Sequence, residues 1–178
     1  MLRLFVGLEL PDGVIARLNI MCAGVPGATW VEPANMHITL RFIGEVEEHV
    51  AEEIDAALAR IEAKAFSLEL SGVGTFGEGT KARALWAAVT PSPELSHLHA
   101  KVESAVVRAG VPPEGRKFTP HVTLARLDHT PPARLHTFVE GNGLFQAGPF
   151  TVDHLTLFES RLGIGSPVYT PLADYPLI

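Results

Sequence analysis

Residues 37–40 read His-Ile-Thr-Leu, residues 121–124 read His-Val-Thr-Leu, and residues 154–157 read His-Leu-Thr-Leu. Each copy lies within an apolar run that favours a β-strand. Because side chains two residues apart point to the same face of a strand, each copy presents an imidazole beside a hydroxyl, and its apolar residues point to the other face. A titrating group beside a neutral hydrogen-bond donor makes half of a phosphate site.

The sequence contexts of the three copies differ. The copies at His37 and His121 begin just after turn-forming residues and lead into predicted helices, so they occupy equivalent places in two helix–strand–helix arrangements. The copy at His154 is followed by a Gly-rich turn at 163–165, and its residue types are common in any strand. Two matched units in matched contexts predict a functional pair. His154 is predicted to have no direct chemical role.

The rest of the chain alternates between strand and helix patterns without a strict β-α-β repeat, which predicts a mixed α+β fold. Apolar periodicity predicts strands over 2–10, 36–43, 66–71, 84–89, 118–127, 150–158 and 168–174, and helices over 12–22, 46–61, 93–109 and 131–139. A short extended segment is expected at Trp30, and a Gly-rich loop at 72–79.

Length and composition favour one packed unit. The chain has 178 residues, of which 47% are hydrophobic and 19% charged, so it can bury a sizeable core and is predicted to form a single domain over 1–178, made of two packed lobes. The sequence contains no apolar run of about 18 residues, so no membrane span is predicted. Cys22 is the only cysteine, which excludes an internal disulfide, and we expect a cytoplasmic, monomeric protein.

The net charge of −6 argues against a protein that wraps long nucleic acid. Proteins that hold long nucleic acids neutralise many phosphates with Lys and Arg, so no extended nucleic-acid surface is expected. A pocket for one phosphate or for one RNA end remains compatible with this charge.

Longer blocks around the motifs resemble a known family. The opening RLFVGLELP, the block WVEPANMHITLRFIGEV, the segment GTFGEG with RALWAAV, the block KFTPHVTLARL and the segment LFESRLG resemble the two-histidine phosphoesterase superfamily and, within it, the LigT-like RNA 2′,3′-cyclic phosphodiesterases. The resemblance covers nearly the whole chain. It implies a bilobal α+β fold with pseudo-two-fold symmetry, in which two mostly antiparallel sheets flank a central cleft and the helices lie outside.

The resemblance also implies a reaction and a set of site residues. The reaction is hydrolysis of an RNA 2′,3′-cyclic phosphate to a 2′-phosphate, in some members with reversible 2′–5′ joining of tRNA halves, and it uses neither a metal nor a cofactor. By analogy His37 is the proton donor and His121 the proton acceptor, although the residues alone do not assign the order. Thr39, Thr123 and Arg126 are expected to bind the phosphate.

Two details of this site depend on strand geometry. In an ideal strand Arg126 points away from His121, so it needs a bulge, a twist or a strand end to reach the phosphate. Arg41 has the same parity as His37 but carries less family support, and we leave it out of the predicted site. The strand aromatics Phe5, Phe42 and Trp86 could stack on a base, but such residues more often belong to a core.

Two other functions fit the same motifs. The first is a phosphodiesterase for small cyclic phosphates, such as an ADP-ribose cyclic phosphate, or for 2′–5′ oligonucleotides. The second is a module that binds RNA ends without turnover, although a pure binder has no need of two titrating groups. Competition between a short oligonucleotide and a mononucleotide 2′,3′-cyclic phosphate separates the first from an RNA-end enzyme.

Overall fold

The structure is a computed structural model that describes residues 1–178. It contains nine β-strands and four α-helices. The strands are β1 Leu2–Glu9, β2 Ala28–Trp30, β3 His37–Val46, β4 Phe66–Phe76, β5 Ala84–Val89, β6 His121–Leu127, β7 Gln146–Val152, β8 His154–Arg161 and β9 Val168–Pro176. The helices are α1 Asp12–Met21, α2 Glu48–Ala59, α3 Pro93–Arg108 and α4 Pro132–Gly141.

The strands form one antiparallel sheet made of two similar halves. Its order is β7-β4-β5-β6-β3-β1-β8-β9, with β2 added on β6. The junction between the halves is the pairing of β3 with β6, which consists of one residue pair, Ile38 opposite Val122. Each half therefore contributes one motif strand to the centre, which agrees with the predicted pseudo-two-fold α+β fold. The two predicted sheets are halves of one continuous sheet, because β3 pairs with β6.

The sheet curls strongly. The strands β7 and β8 lie near opposite ends of the pairing order, yet only Asp153 separates them in sequence. Because consecutive Cα atoms are about 3.8 Å apart, the two strand ends must be neighbours in space. The C-terminus helps to close this side of the molecule, since the amide of Leu177 donates to the carbonyl of Asp153 and the amide of Ile178 donates to the carbonyl of Ala63.

The helices cover the apolar face of the sheet. Ile38 and Val122 are fully buried in a main core of 31 residues, which also contains inward residues of α1, α2 and α3. A smaller core of seven residues holds α4 against β5 and β6. Helix α3 begins as predicted, because the Ser92 hydroxyl accepts a hydrogen bond from the amide of Leu95 at 3.1 Å. None of the four helices is long and apolar enough to cross a membrane.

Three local predictions differ from the structure. The expected strand over 150–158 is two strands, because β7 pairs with β4 whereas β8 pairs with β1. Strand β4 continues to Phe76 through part of the predicted Gly-rich loop, since the residues from Val73 to Phe76 pair with β5. Helix α1 ends at Met21, one residue before its predicted end, and Cys22 follows as the C-cap.

Candidate active site

The two motif histidines lie on the central pair of strands, on the same face. Ile38 and Val122 face each other across β3 and β6 and point into the core. In an antiparallel pair the flanking residues follow the same register, so His37 lies opposite Thr123 and Thr39 lies opposite His121. Each histidine is thus placed across from the threonine of the other motif. All four side chains are partly exposed, whereas their immediate strand neighbours are buried.

A β-bulge in β6 turns Arg126 towards the same face. The register of β5 against β6 shifts by one residue at Leu124, which has no partner between Thr123 and Ala125. An extra residue in one strand reverses the alternation beyond it. Ala125 is therefore buried and Arg126 is exposed on the wall of the cleft. Arg126 points away from His121 in an ideal strand, and this bulge is the irregularity that brings it to the same face.

A matching bulge in β3 turns Arg41 away from the site. The register of β1 against β3 shifts at Leu40, between Thr39 and Arg41. Arg41 is 5% exposed and its Nε donates to Glu103 at 2.6 Å. Phe42, the next residue, points to the cleft instead. The parity that Arg41 shares with His37 in an ideal strand is lost here, so its omission from the predicted site agrees with the structure.

The ring of His37 is held in one orientation and one tautomer. Its Nδ1 lies 2.7 Å from the carbonyl oxygen of Asn35, and because a carbonyl can only accept, Nδ1 carries a proton. The other ring nitrogen, Nε2, lies 2.8 Å from Oγ1 of Thr39. The ring stacks on Phe5 with centroids 4.8 Å apart and meets the edge of Tyr169 at 5.4 Å. Nε2 is therefore the nitrogen that is free to exchange protons.

The ring of His121 is held in the same way by different residues. Its Nδ1 lies 2.6 Å from the carbonyl oxygen of Thr119, which again leaves Nε2 for chemistry. The edge of Phe76 contacts the ring at a centroid distance of 4.9 Å, and Trp86 lies at 5.9 Å. In both motifs the carbonyl two residues before the histidine sets the tautomer. The two imidazoles are thus prepared alike in the two halves of the molecule.

Burial lowers the pKa of both histidines below the usual 6.5. For His37 desolvation is the main cause, the hydrogen bond to the Asn35 carbonyl opposes it, and charge on His121 lowers the pKa further. For His121 desolvation again lowers the pKa, and the Thr119 carbonyl partly offsets it. Because charge on one imidazole disfavours charge on the other, the pair takes up a first proton more readily than a second.

A cleft of about 1050 Å³ opens on this face of the sheet. Its wall includes four of the five predicted site residues, which are His37, Thr39, Thr123 and Arg126. His121 does not belong to the wall of this cavity, although its charge acts on His37. The volume is at the upper end of the range for small-molecule sites, so it can accommodate a nucleotide.

Comparison with known proteins identifies the family. The family model described as the 2′-5′ RNA ligase superfamily matches residues 22–163. The chain belongs to this superfamily. Curated members similar to it include two proteins named RNA 2′,3′-cyclic phosphodiesterase. The protein from Aeropyrum pernix is 40% identical, and the match covers 91% of this chain and 94% of the relative. The protein from Thermotoga maritima is 32% identical, and the match covers 97% of this chain and 94% of the relative.

Solved structures of the superfamily share the fold. The crystal structure of E. coli LigT complexed with 3′-AMP has a TM-score of 0.81 to this chain at 25% identity, and the match covers 99% of this chain and 98% of LigT. The likeness extends over both halves of the sheet. The predicted fold class is therefore confirmed.

In this superfamily member the third copy, at His154, forms a polar cluster outside the cleft wall. His154 contacts Asp153 at 2.6 Å and Glu9 at 3.0 Å, and the Thr156 hydroxyl lies 2.8 Å from Asp174. Burial lowers the pKa of His154, but the carboxylates of Asp153, Glu9 and Asp174 outweigh it and the net pKa is raised. Glu9, His154 and Asp174 offer three ligand atoms within 4.8 Å of one another, the one such group in the chain that could hold a metal ion.

The sequence interpretation missed the aromatic support of His37. Phe158 of β8 and Tyr169 of β9 join Phe5 around the ring, and Gly7 of β1 makes room for it. A Cβ atom on Gly7 would lie 3.4 Å from Cδ2 of His37 and 2.9 Å from the carbonyl oxygen of Ile38. Only the pairing of β1 between β3 and β8 brings these residues together, and no local sequence signal reports it.

Proposed function

We propose that this chain hydrolyses 2′,3′-cyclic phosphates at RNA ends to 2′-phosphates, with His37 as the proton donor and His121 as the proton acceptor. The observation that carries the proposal is the placement of two imidazole–hydroxyl units across one strand pair, on one face, beside a nucleotide-sized cleft. The names of the relatives, RNA 2′,3′-cyclic phosphodiesterase, favour the same reaction.

The chemistry needs one proton removed and one proton supplied on opposite sides of phosphorus. Water attacks phosphorus, a base takes its proton, and the bond from phosphorus to the 3′-oxygen breaks as that oxygen is protonated. One group cannot occupy both places, so two facing imidazoles suit the reaction. His121 Nε2 takes the proton of water, and His37 Nε2 delivers a proton to the 3′-oxygen. The product keeps the phosphate on the 2′-oxygen.

The phosphate-binding roles are assigned to Thr39, Thr123 and Arg126. Each threonine lies across from the histidine of the other motif, so the two hydroxyls flank the same space between the imidazoles. Hydroxyl and guanidinium donors aimed at non-bridging oxygens stabilise the charge that grows in the transition state. The Arg126 side chain has no protein carboxylate within salt-bridge distance, so its charge is available to the substrate.

The bound phosphate supplies the protonation state that the pair needs. In the empty cleft burial keeps both pKa values low, which favours neutral rings near pH 7. A phosphodiester anion beside His37 favours its charged form and raises its pKa. Repulsion between the two imidazoles favours one proton over two on the pair, so the other ring remains a base.

The substrate class is RNA termini, including tRNA halves, or small cyclic nucleotides. The net charge of −6 agrees with recognition of an end and not of a long duplex. The co-crystallisation of the LigT relative with 3′-AMP supports a nucleotide-sized site. By microscopic reversibility the same two histidines exchange roles when a 2′–5′ bond is formed. A cytoplasmic location and a monomeric state remain predictions.

The test is an oligonucleotide that ends in a 2′,3′-cyclic phosphate, incubated with the protein in the presence and absence of EDTA. We expect equal turnover in both, because the two imidazoles perform both proton transfers. The product is analysed for the position of its phosphate, which is expected to be the 2′-oxygen. A 3′-phosphate product, or loss of turnover with EDTA that added metal restores, would contradict the proposal.

A further inference from the structure

The segment 112–120, which leads into His121, has no main-chain support of its own. It joins helix α3 to strand β6, and its residues take part in none of the main-chain hydrogen bonds of the loops. Three of its nine residues are prolines, which have no amide hydrogen to donate. The segment nevertheless contains the Thr119 carbonyl, which accepts the hydrogen bond from Nδ1 of His121. Side chains therefore fix the conformation of this segment.

The start of the segment is held by the ion pair of Arg41 and Glu103. Nη2 of Arg41 donates to the carbonyl of Pro112 at 2.5 Å, and Oε1 of Glu103 accepts from the amide of Glu114 at 3.0 Å. The pair itself joins strand β3 to helix α3 through hydrogen bonds of 2.6 and 3.3 Å. Nη1 of Arg41 donates to the carbonyl of Phe42 at 2.8 Å. Every nitrogen of this guanidinium therefore has a partner within the protein.

Helix α3 also holds the end of the segment. The ring of His99 lies over the ring of Phe118, with centroids 3.8 Å apart and planes 2° from parallel. His99 lies one turn before Glu103 on the helix, so one face of α3 contacts the segment near both ends. Phe118 immediately precedes Thr119, whose carbonyl sets the tautomer of His121.

The buried charge at Arg41 contributes something other than stability. The equivalent position in the other half is Ala125, which also lies four residues after its motif histidine and beyond a bulge, and it is fully buried in an apolar core. Replacing a buried ion pair by apolar residues is often neutral or stabilising, because burial costs both charges their hydration. What an apolar pair could not provide is the two hydrogen bonds to Pro112 and Glu114.

We propose that the Arg41–Glu103 pair and the His99–Phe118 stack are positioning residues for His121. They fix the segment that leads into it, and the segment places the carbonyl that keeps the proton on Nδ1 and leaves Nε2 to act as the base. The inference rests on the proposed function, which makes His121 the proton acceptor. Strand β3 then serves both proton transfers, since it carries one motif histidine and, four residues later, the guanidinium that orders the other.

The positioning concerns the ring of His121 and not its main chain. Strand pairing fixes the main chain, since His121 lies opposite Ala88 of β5. The ring can still rotate, and its neutral form can carry the proton on either nitrogen. With the proton on Nε2 the ring cannot take one from water. The phosphate is bound by Thr39, Thr123 and Arg126, which lie outside the segment, so loss of positioning lowers kcat and leaves KM nearly unchanged.

The experiment uses three variants of the full chain. The double variant Arg41→Met/Glu103→Met replaces the ion pair by apolar side chains, so it can keep its stability while it loses both hydrogen bonds to the segment. His99→Leu removes the stack on Phe118. Arg116→Gln is the matched control, because Arg116 lies in the same segment and its side chain contacts only the neighbouring Glu114, at 3.4 Å.

Three quantities are measured for wild type and for each variant. Urea unfolding gives the stability, and turnover of adenosine 2′,3′-cyclic phosphate gives kcat and KM. The NMR signals of the ring nitrogens distinguish a histidine with its proton on Nδ1 from one with its proton on Nε2. His37 is the internal standard, because the carbonyl that holds its Nδ1 belongs to Asn35, outside the segment.

The double variant is expected to unfold at a urea concentration close to that of wild type. Its kcat should fall by about 10- to 100-fold, the scale for a catalytic group that is misplaced by about 1 Å, while KM changes little. The signals of His121 should show a mixture of the two tautomers, whereas those of His37 stay as in wild type. His99→Leu should give the same pattern, and Arg116→Gln should match wild type throughout.

A folded double variant with the kcat and the His121 tautomer of wild type would overturn the inference. A loss of kcat that accompanies a loss of stability, with unchanged His121 signals, would also overturn it, because the pair would then be merely structural. If the double variant did not fold, His99→Leu would decide, and unchanged His121 signals there would count against the proposal. Failure of the proposed function appears differently, because wild type would then turn over no substrate, and the NMR comparison would still show whether the segment sets the tautomer.

Discussion

At the scale of single residues, the surroundings of the histidines decide which of the three copies of the motif can act. His37 and His121 each have one ring nitrogen fixed by a carbonyl and the other directed away from it. Both ring nitrogens of His154 contact carboxylates, Nδ1 that of Asp153 and Nε2 that of Glu9. The Nε2 of His37 contacts only a neutral hydroxyl, that of Thr39, whereas carboxylates engage both nitrogens of His154 and leave it no position for proton transfer to a substrate.

Replacement of the histidines tests this difference directly. His37→Ala and His121→Ala are each expected to lower kcat by about 10²–10⁴, the usual contribution of one general acid or base. The double variant should lose much less than the product of the two effects, because the residues act as a unit. His154→Ala should keep kcat near wild type. A loss at His154 as large as that at His37 would show that the wrong pair has been chosen.

The pKa of His37, the proposed proton donor, gives a second prediction at this scale. Burial lowers the pKa of His37 in the free protein, whereas the bound phosphodiester raises it. The profile of kcat/KM reports the free protein and that of kcat reports the complex. Both profiles should be bell-shaped, and the alkaline limb of the kcat profile should lie at higher pH than that of kcat/KM. Coinciding limbs would mean that the substrate charge does not act on the acid.

At the scale of elements, alternation along a strand predicted part of the site and could not predict the rest. The pairing of His37 with Thr39 on one face follows from a period of two, and the structure agrees. The bulges at Leu40 and Leu124 arise from the register that β1 and β5 impose on their neighbours. Register is a long-range property, so the exposure of Phe42 to the cleft has no local signal.

The division of 150–158 into two strands has a similar cause. Both segments are apolar and rich in β-forming residues, so local propensity predicts one strand. Their partners lie in different halves of the sheet, since β7 pairs with β4 and β8 pairs with β1. Element types were therefore predictable from the sequence, whereas the partners of each element were not.

Gly7 tests how tightly the elements hold the site. A Cβ atom there would lie 2.9 Å from the Ile38 carbonyl, so Gly7→Ala must push β3 away from β1. Overpacking of this kind typically costs about 1–3 kcal/mol, and kcat should fall because His37 moves with β3. Gly13→Ala is the control, because nothing lies within 4 Å of its Cβ and alanine favours helix α1 by about 0.5–1 kcal/mol. Urea unfolding and turnover measure both effects.

At the scale of the whole molecule, the histidines make opposite contributions to stability as the pH changes. In the unfolded chain each imidazole titrates near pH 6.5. The folded-state pKa of His37 is lower, so the unfolded chain binds more protons below about pH 6.5 and His37 destabilises the fold there. The folded-state pKa of His154 is raised, so its contribution is fully present below about pH 6.5 and is lost as the pH rises through that higher value.

Two glutamine variants separate these contributions. His37→Gln should be less destabilising at pH 5.5 than at pH 8, because it removes a group that costs free energy only when protonated. His154→Gln should be more destabilising at pH 5.5 than at pH 8, because it removes the cation that joins Glu9 to Asp153 across β1 and β8. The free energy of unfolding in urea at the two pH values gives both differences. If His154→Gln were no more destabilising at pH 5.5 than at pH 8, the ion cluster around His154 would not link β1 to β8 in solution, and the curled sheet would depend on its apolar core and backbone pairing alone.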